Sequence, residues 1–206
     1  MADITEAQHS QAREATDQSS ACPKPEVKKS IEKEVPAETE APLPKLSARE
    51  FAAYNSMAEH MDYFHDGFRR KWNLMHDACE ANKRPNGMSI RAFLAVGLEF
   101  CQHLHMHHSI EERHIFPVLA RKMPAFRREL ELLTQHKQIH AGMEGMQEYL
   151  RSCKDGETEL RLEELKNRMD VFGPVLWQHL DDEVKQLGAE NMRKYWTVDE
   201  MRRMPM

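Results

Sequence analysis

Cysteine is scarce and scattered in this chain of 206 residues: Cys22, Cys79, Cys101 and Cys153 lie far apart, with no Cys-x-x-Cys pair. That spacing excludes a disulfide framework and a thiolate zinc site, so any metal here must be held by histidine and carboxylate. Long apolar runs are lacking, and the amino terminus, MADITEAQHS, has no positive run leading into an apolar segment. Neither a membrane span nor a secretory signal is expected, which leaves the cytoplasm as the default address. Charge of one sign is missing too: the formal net charge is -5, and basic residues form only short clusters such as FRRK and RRMPM. Nucleic acid is therefore not an expected partner. No aromatic residue precedes Phe51, and the stretch before it carries Pro23, Pro25, Pro36, Pro42 and Pro44. Such a segment buries too little apolar surface to offset its ordering entropy, so residues 1–45 are expected to form a disordered tail, open to a protein partner.

What is present reads as helix. Ser47 and Glu50 stand at capping-box spacing, with Leu46 placed to staple onto Phe51, and predict a helix from there to about Cys79. NKRPNG (82–87) is a turn cluster. A second helix is expected from about Ser89 to Phe116, stopped by Pro117. A third restarts near Pro124 and runs to about Ser152; a fourth spans about Glu157 to Leu187, with a kink at Gly173 and Pro174. Thr197 and Glu200 repeat the capping-box spacing and predict a short terminal helix that packs Tyr195 and Trp196. The expected fold is all-α: a four-helix bundle over 46–190, up-down-up-down, followed by an extension at 191–206 packing on it.

The apolar stripes of these helices contain histidines and glutamates. The fourth reads Leu162, Leu165, Met169, Phe172, Leu176, His179, Glu183, Leu187. The third puts Leu133, His136, His140, Met143, Gln147 and Leu150 on one face, and the first puts His65 among Tyr54, Met61, Phe68, Trp72 and Met75. His60 aligns instead with Phe64, Gly67 and Lys71. In the second helix, two registers are nearly equal: His107 with Glu111, or His108 with Glu112. A buried carboxylate without a partner costs several kcal/mol, roughly, so Glu183 needs a cation, a hydrogen-bonding partner or a metal. Five imidazoles and two carboxylates are too many donors for one ion and suit two. Nitrogen and oxygen donors with an open position favour iron, with manganese and zinc left open.

HDGFR (65–69), HHSIEERHIFP (107–117), QHKQIH (135–140) and QHLDDEV (178–184) occur in the order that resembles the hemerythrin-like, or HHE cation-binding, family, over about residues 50–188. The resemblance selects His107 and Glu111 over the neighbouring register. It implies one iron held by His136, His140 and His179, the other by His65 and His107, with Glu111 and Glu183 bridging. His105 and His108 would then support ligands or line the pocket. Dioxygen, or a related small oxidant such as peroxide or nitric oxide, would be the partner of the less saturated iron. Oxygen carriers of the family place an aspartate five residues after the last histidine; here that position is Val184, and the carboxylate, Glu183, comes one residue earlier.

The expected function is thus a non-haem di-iron protein that binds or activates dioxygen. Two alternatives stand beside it: a di-iron oxidoreductase acting on an organic substrate in a cavity built by Phe68, Trp72, Phe100, Leu104 and Met143, or a metal- or oxygen-sensing interaction module. A substrate channel of about 300 Å3 or more would favour the oxidoreductase.

Overall fold

The computed structural model describes residues 43–127 and 131–205, and every regular element in them is helical. The expectation of a disordered tail falls, up to residue 42, outside the described residues.

Helix α1 spans Ala48–Glu80 and begins as its sequence dictates: the Ser47 hydroxyl accepts from the Glu50 amide, and the Glu50 carboxylate accepts from the Ser47 amide. After the turn, α2 (Ile90–Ile110) is capped by the Ser89 hydroxyl. Pro117 does not stop this helix, contrary to the sequence reading. A π turn at Glu111–Ile115, closed by the Phe116 amide donating to the Glu111 carbonyl, leads directly into α3 (Phe116–Leu119), where Pro117 occupies the first turn and its missing N–H goes unneeded.

Pro124 opens a short 3-10 turn, Pro124–Phe126, and α4 covers Glu131–Asp155, ending slightly later than expected. The predicted fourth helix begins late and is divided into α5 (Leu162–Asp170) and α6 (Gly173–Leu187), which meet at Val171 and Phe172. Close packing fixes this region: a Cβ on Gly142 of α4 would lie 2.5 Å from Phe172 Cβ. Two short helices follow, α7 (Ala189–Met192) and α8 (Val198–Met201), the latter held by the predicted Thr197 and Glu200 capping box.

Each long helix packs on two neighbours: α1 on α2 and on α5 with α6, and α4 on α2 and on the same α5 and α6. The interior holds two apolar clusters. One contains Phe68, Trp72, Phe93, Phe100, Leu104, Met143, Leu150 and Phe172. The other contains Met57, Met61, Ile115, Phe116, Leu132 and Leu187, and is closed by Met192, Trp196 and Met201 from the carboxyl-terminal segment. Along the chain, His65 falls between Met61 and Phe68, Glu111 between Leu104 and Ile115, and Glu183 between Leu180 and Leu187. The polar side chains therefore occupy a slice between two apolar plugs, which keep water away from both ends. No described helix is long and apolar enough to cross a membrane.

Candidate metal centre

Among the described residues, seven polar or charged side chains are buried: His65, His108, Glu111, Gln135, His136, His179 and Glu183. His107 joins them at 11 % side-chain exposure. Burying this much polarity is tolerated only if the groups find partners. Here the partners lie on one side of each ring. His65 Nδ1 faces the Leu180 carbonyl at 3.1 Å, His136 Nδ1 faces Glu112 Oε1 at 2.9 Å, and His179 Nδ1 faces Gln135 Oε1 at 3.3 Å. Gln135 is held in turn by donating to Asp182 at 3.0 Å. Acceptors on Nδ1 keep the proton there and turn the Nε2 lone pair inward, which is how proteins orient imidazoles toward a cation.

Most of the inward atoms lack hydrogen bonds; the exception is the contact of 3.2 Å between His136 Nε2 and His179 Nε2. The Nε2 atoms of His65, His107 and His108 and both carboxylate oxygens of Glu111 and Glu183 are buried without a hydrogen-bond partner. His107 Nε2 comes within 2.7 Å of Glu111 Oε1 but is misaligned for a hydrogen bond. Glu183 Oε2 sits 3.4 Å from His65 Nε2 and 3.6 Å from His179 Nε2, and Glu111 Oε2 sits 3.5 Å from His136 Nε2. Donor atoms that converge without satisfying one another are what a cation would satisfy. Among the described residues, two interior groups could hold one each, with their donor atoms within 4.8 Å of one another: His108, Glu111, His136 and His179; and His65, His107, Glu111 and Glu183. Glu111 belongs to both. The donor set, nitrogen and carboxylate oxygen with no thiolate, fits iron, manganese or zinc.

Burial holds His107, His108, His136 and His179 neutral. Desolvation, reinforced by neighbouring histidines, lowers the pKa of His107 to about 2 and that of His136 to about 3. His179 is likewise lowered to about 3 by desolvation, and His108 lies well below the ordinary value for the same reason. Desolvation, then the charges of Glu183 and Glu112, raise Glu111 well above the usual carboxylate range. Neutral imidazoles are ready to ligate, and a carboxylate that resists ionising here would ionise beside a metal cation.

Of the seven residues expected from sequence, His65, His107, Glu111, His136, His179 and Glu183 converge in these groups; His140 does not. Helix α4 buries Leu132, Gln135, His136, Ile139, Met143, Met146 and Leu150, a stripe about one residue round from the expected one. Ile139 takes the inward place, and half-buried His140 stands beside it, its Nε2 3.2 Å from His108 Nδ1. His108 is the residue the sequence reading gave a supporting role. It is fully buried, stacked on His136 with ring centres 3.8 Å apart. His107 and His108, one from each register of α2, both turn inward because this helix is packed from two sides, by α1 and α4, while Glu112 stays exposed. The signal was in the sequence: Phe93 and Leu94, and Phe100 and Cys101, are adjacent apolar pairs, and all four are buried.

The expected cavity is also elsewhere. Trp72, Phe100, Leu104 and Met143 are core residues. An open chamber of about 540 Å3 lies instead between α1 and α2, lined by Phe68 among others and reaching His107 and Glu111.

Comparison with known proteins agrees with this arrangement. A family profile described as the hemerythrin HHE cation binding domain matches residues 56–189, most of the chain. The curated protein named "Dimeric xanthone biosynthesis cluster protein R11", from Cryptosporiopsis sp. (strain 8999), is 25% identical over 154 residues, covering 70% of this chain and 56% of that protein. The chain thus spans little more than half the length of that relative. No solved structure gives a significant match. The matched span contains every residue of the two donor groups, and the chain belongs to the hemerythrin HHE cation-binding family.

Proposed function

We propose that this chain is a non-haem di-iron protein that binds or activates dioxygen, or a related small oxidant, in an up-down-up-down four-helix bundle. The observation that carries the reading is the pair of donor groups sharing Glu111, in which the oxygens of Glu111 and Glu183 and the Nε2 atoms of His65, His107 and His108 have no hydrogen-bond partner. In this reading His108, Glu111, His136 and His179 would hold one ion and His65, His107, Glu111 and Glu183 the other. His140 supports His108 and does not ligate. Iron, when bound, supplies the electrons that dioxygen, peroxide or nitric oxide chemistry requires.

The chain's own groups do the rest. Leu180, Glu112 and Gln135 fix which nitrogen of each histidine faces inward. Phe68 and Phe116, whose rings pack against His107 and His136, exclude water from the ligand edges. His108, His140 and exposed His105 form a chain with nitrogen separations of 3.2 and 3.4 Å, a route by which a proton on His140 reaches solvent.

The second reading, oxidation of an organic substrate, is favoured by the chamber of about 540 Å3 at His107 and Glu111, far larger than a diatomic needs. The biosynthesis-cluster name of the relative is in keeping with it. Residues 1–45 are proposed to serve a protein partner, and the cytoplasm remains the proposed address.

The test is metal analysis followed by the visible spectrum of anaerobic, ferrous-loaded protein as air is admitted and removed. Uptake of two irons per chain and a band that responds to air are expected. A band that reverses identifies a binder; irreversible oxidation identifies a reactive centre. Failure to take up iron sinks both.

A further inference from the structure

One face of α1 lies outside the core stripe: His60, Phe64, Gly67 and Lys71, with Tyr63 and Arg70 alongside, and all of them line the chamber. Opposite them, α2 contributes Met106, His107 and Ile110. Tyr63, Phe64, Met106 and Ile110 are each 44 to 73 % exposed, and they gather around this single concavity. Apolar surface assembled around a concave space marks a ligand site more than ordinary surface does.

Gly67 is an independent sign. Glycine in a helix interior weakens the helix, and a close backbone approach would justify it only if something packed against it. Nothing does: a Cβ there would meet only the Arg70 Nη2 atom, at 3.9 Å. The missing side chain leaves the chamber open instead.

Charge completes the description. Glu111, on the inner wall, supplies the carboxylate among the chamber's lining residues, whereas Arg70 and Lys71 stand on α1 one turn beyond Gly67. Lys71 leans toward Glu99 at 3.4 Å; Arg70 has no ion-pair partner among the described residues. The walls combine the thioethers of Met57, Met61 and Met106 with the rings of Phe64 and Phe68. Sulfur and aromatic edges favour a flat aromatic body, and guanidinium favours a carboxylate or phenolate.

We propose that the chamber between α1 and α2 binds a small aromatic organic anion, its rings among Met61, Phe64, Phe68 and Met106 and its anionic group at Arg70 and Lys71. The ligand's edge meets the His107 and Glu111 wall, which makes it the substrate class of the metal centre. The inference rests on the metal reading above.

The experiment titrates metal-loaded full-length protein with 2-naphthoate and with the neutral 2-naphthalenemethanol by calorimetry, and records paramagnetic broadening of the naphthoate proton signals. Naphthoate should bind about tenfold or more tighter than the alcohol, with its ring signals broadened. Gly67→Phe should weaken both ligands about tenfold or more with metal content unchanged, and Arg70→Ala with Lys71→Ala should erase the preference for the anion. Gly67→Ala should bind as wild type does. Equal affinity for both ligands, no binding of either, or undiminished binding by Gly67→Phe would overturn the proposal while leaving the metal reading intact. Naphthoate binding by protein that takes up no metal would overturn the metal reading and the substrate role with it. A dimer that seals the chamber, seen by light scattering and abolished by Met106→Glu, would equally overturn it.

Discussion

Replacing Glu183 with leucine should stabilise the metal-free protein and leave the metal-loaded protein less stable than loaded wild type. Glu183 is fully buried, both of its oxygens lack hydrogen bonds, and its neighbours along α6 are Leu180 and Leu187. Leaving a buried acceptor unsatisfied costs about 1–3 kcal/mol, and more if it is charged. Hydrophobic replacement of buried ionic groups commonly gains about 1–4 kcal/mol. A gain of about 2–3 kcal/mol raises the melting temperature of a domain this size by about 4–12 °C. The metal-free variant should therefore melt above metal-free wild type. Metal adds about 4 kcal/mol when present at about a thousandfold excess over its dissociation constant, and only the intact site receives the full increment. Loaded wild type should then melt above the loaded variant. Calorimetric melts in chelator and in iron(II) under anaerobic conditions give all four values. A metal-free Glu183→Leu that melts below metal-free wild type would refute the reasoning, because it would make Glu183 a satisfied structural group.

The two histidines that sequence and structure treat differently can be separated: His140→Ala should weaken metal binding about 10–100-fold through His108, whereas His108→Ala should remove one of two bound ions, as read by metal analysis after dialysis. Acid should unfold the metal-free protein. The unfolded chain takes protons on histidine near pH 6.5, while folded His107, His136 and His179 refuse them down to about 2 to 3, so their stability contribution is complete above about 6.5 and falls as pH drops toward 3. Glu111, raised by burial, acts in the opposite sense and only partly offsets this. Metal release from the loaded protein should accordingly coincide with loss of the circular dichroism signal; release near pH 5 from a folded protein would contradict it. Two glycines should respond oppositely to alanine in thermal melts. Gly67→Ala should stabilise by about 0.5–1 kcal/mol, because the new Cβ meets only an ordinary contact with Arg70 Nη2 at 3.9 Å. Gly142→Ala should destabilise by about 1–3 kcal/mol, because its Cβ would press on Phe172.

Much of the architecture follows from local chemistry. Both capping boxes, at Ser47 with Glu50 and at Thr197 with Glu200, form as written, because a cap involves residues only three apart. The stripes of α1 and of α5 with α6 also read correctly, which placed His65, His179 and Glu183 inside: each has a single strongly apolar face at helical spacing. Sequence alone therefore determined the helical class, the donor types, and six of the seven residues that converge in the two donor groups.

Tertiary packing decided the rest. Whether α2 turns one register or two inward depends on how many neighbours it has, and only the presence of both α1 and α4 buries His107 and His108 together. Helix α4 carries apolar residues at adjacent positions, so a rotation of one residue costs little locally; packing against α2 and α6 puts Ile139 inside and moves His140 to the edge. The π turn at Glu111–Ile115 likewise lets the chain continue past Pro117, which a proline rule applied to sequence cannot foresee. The chamber beside His107 exists only because two faces from different helices, each unremarkable alone, meet across Gly67. Periodicity specifies which face of a helix is apolar, but the angle at which that face meets its neighbours is set by interlocking side chains distant in sequence.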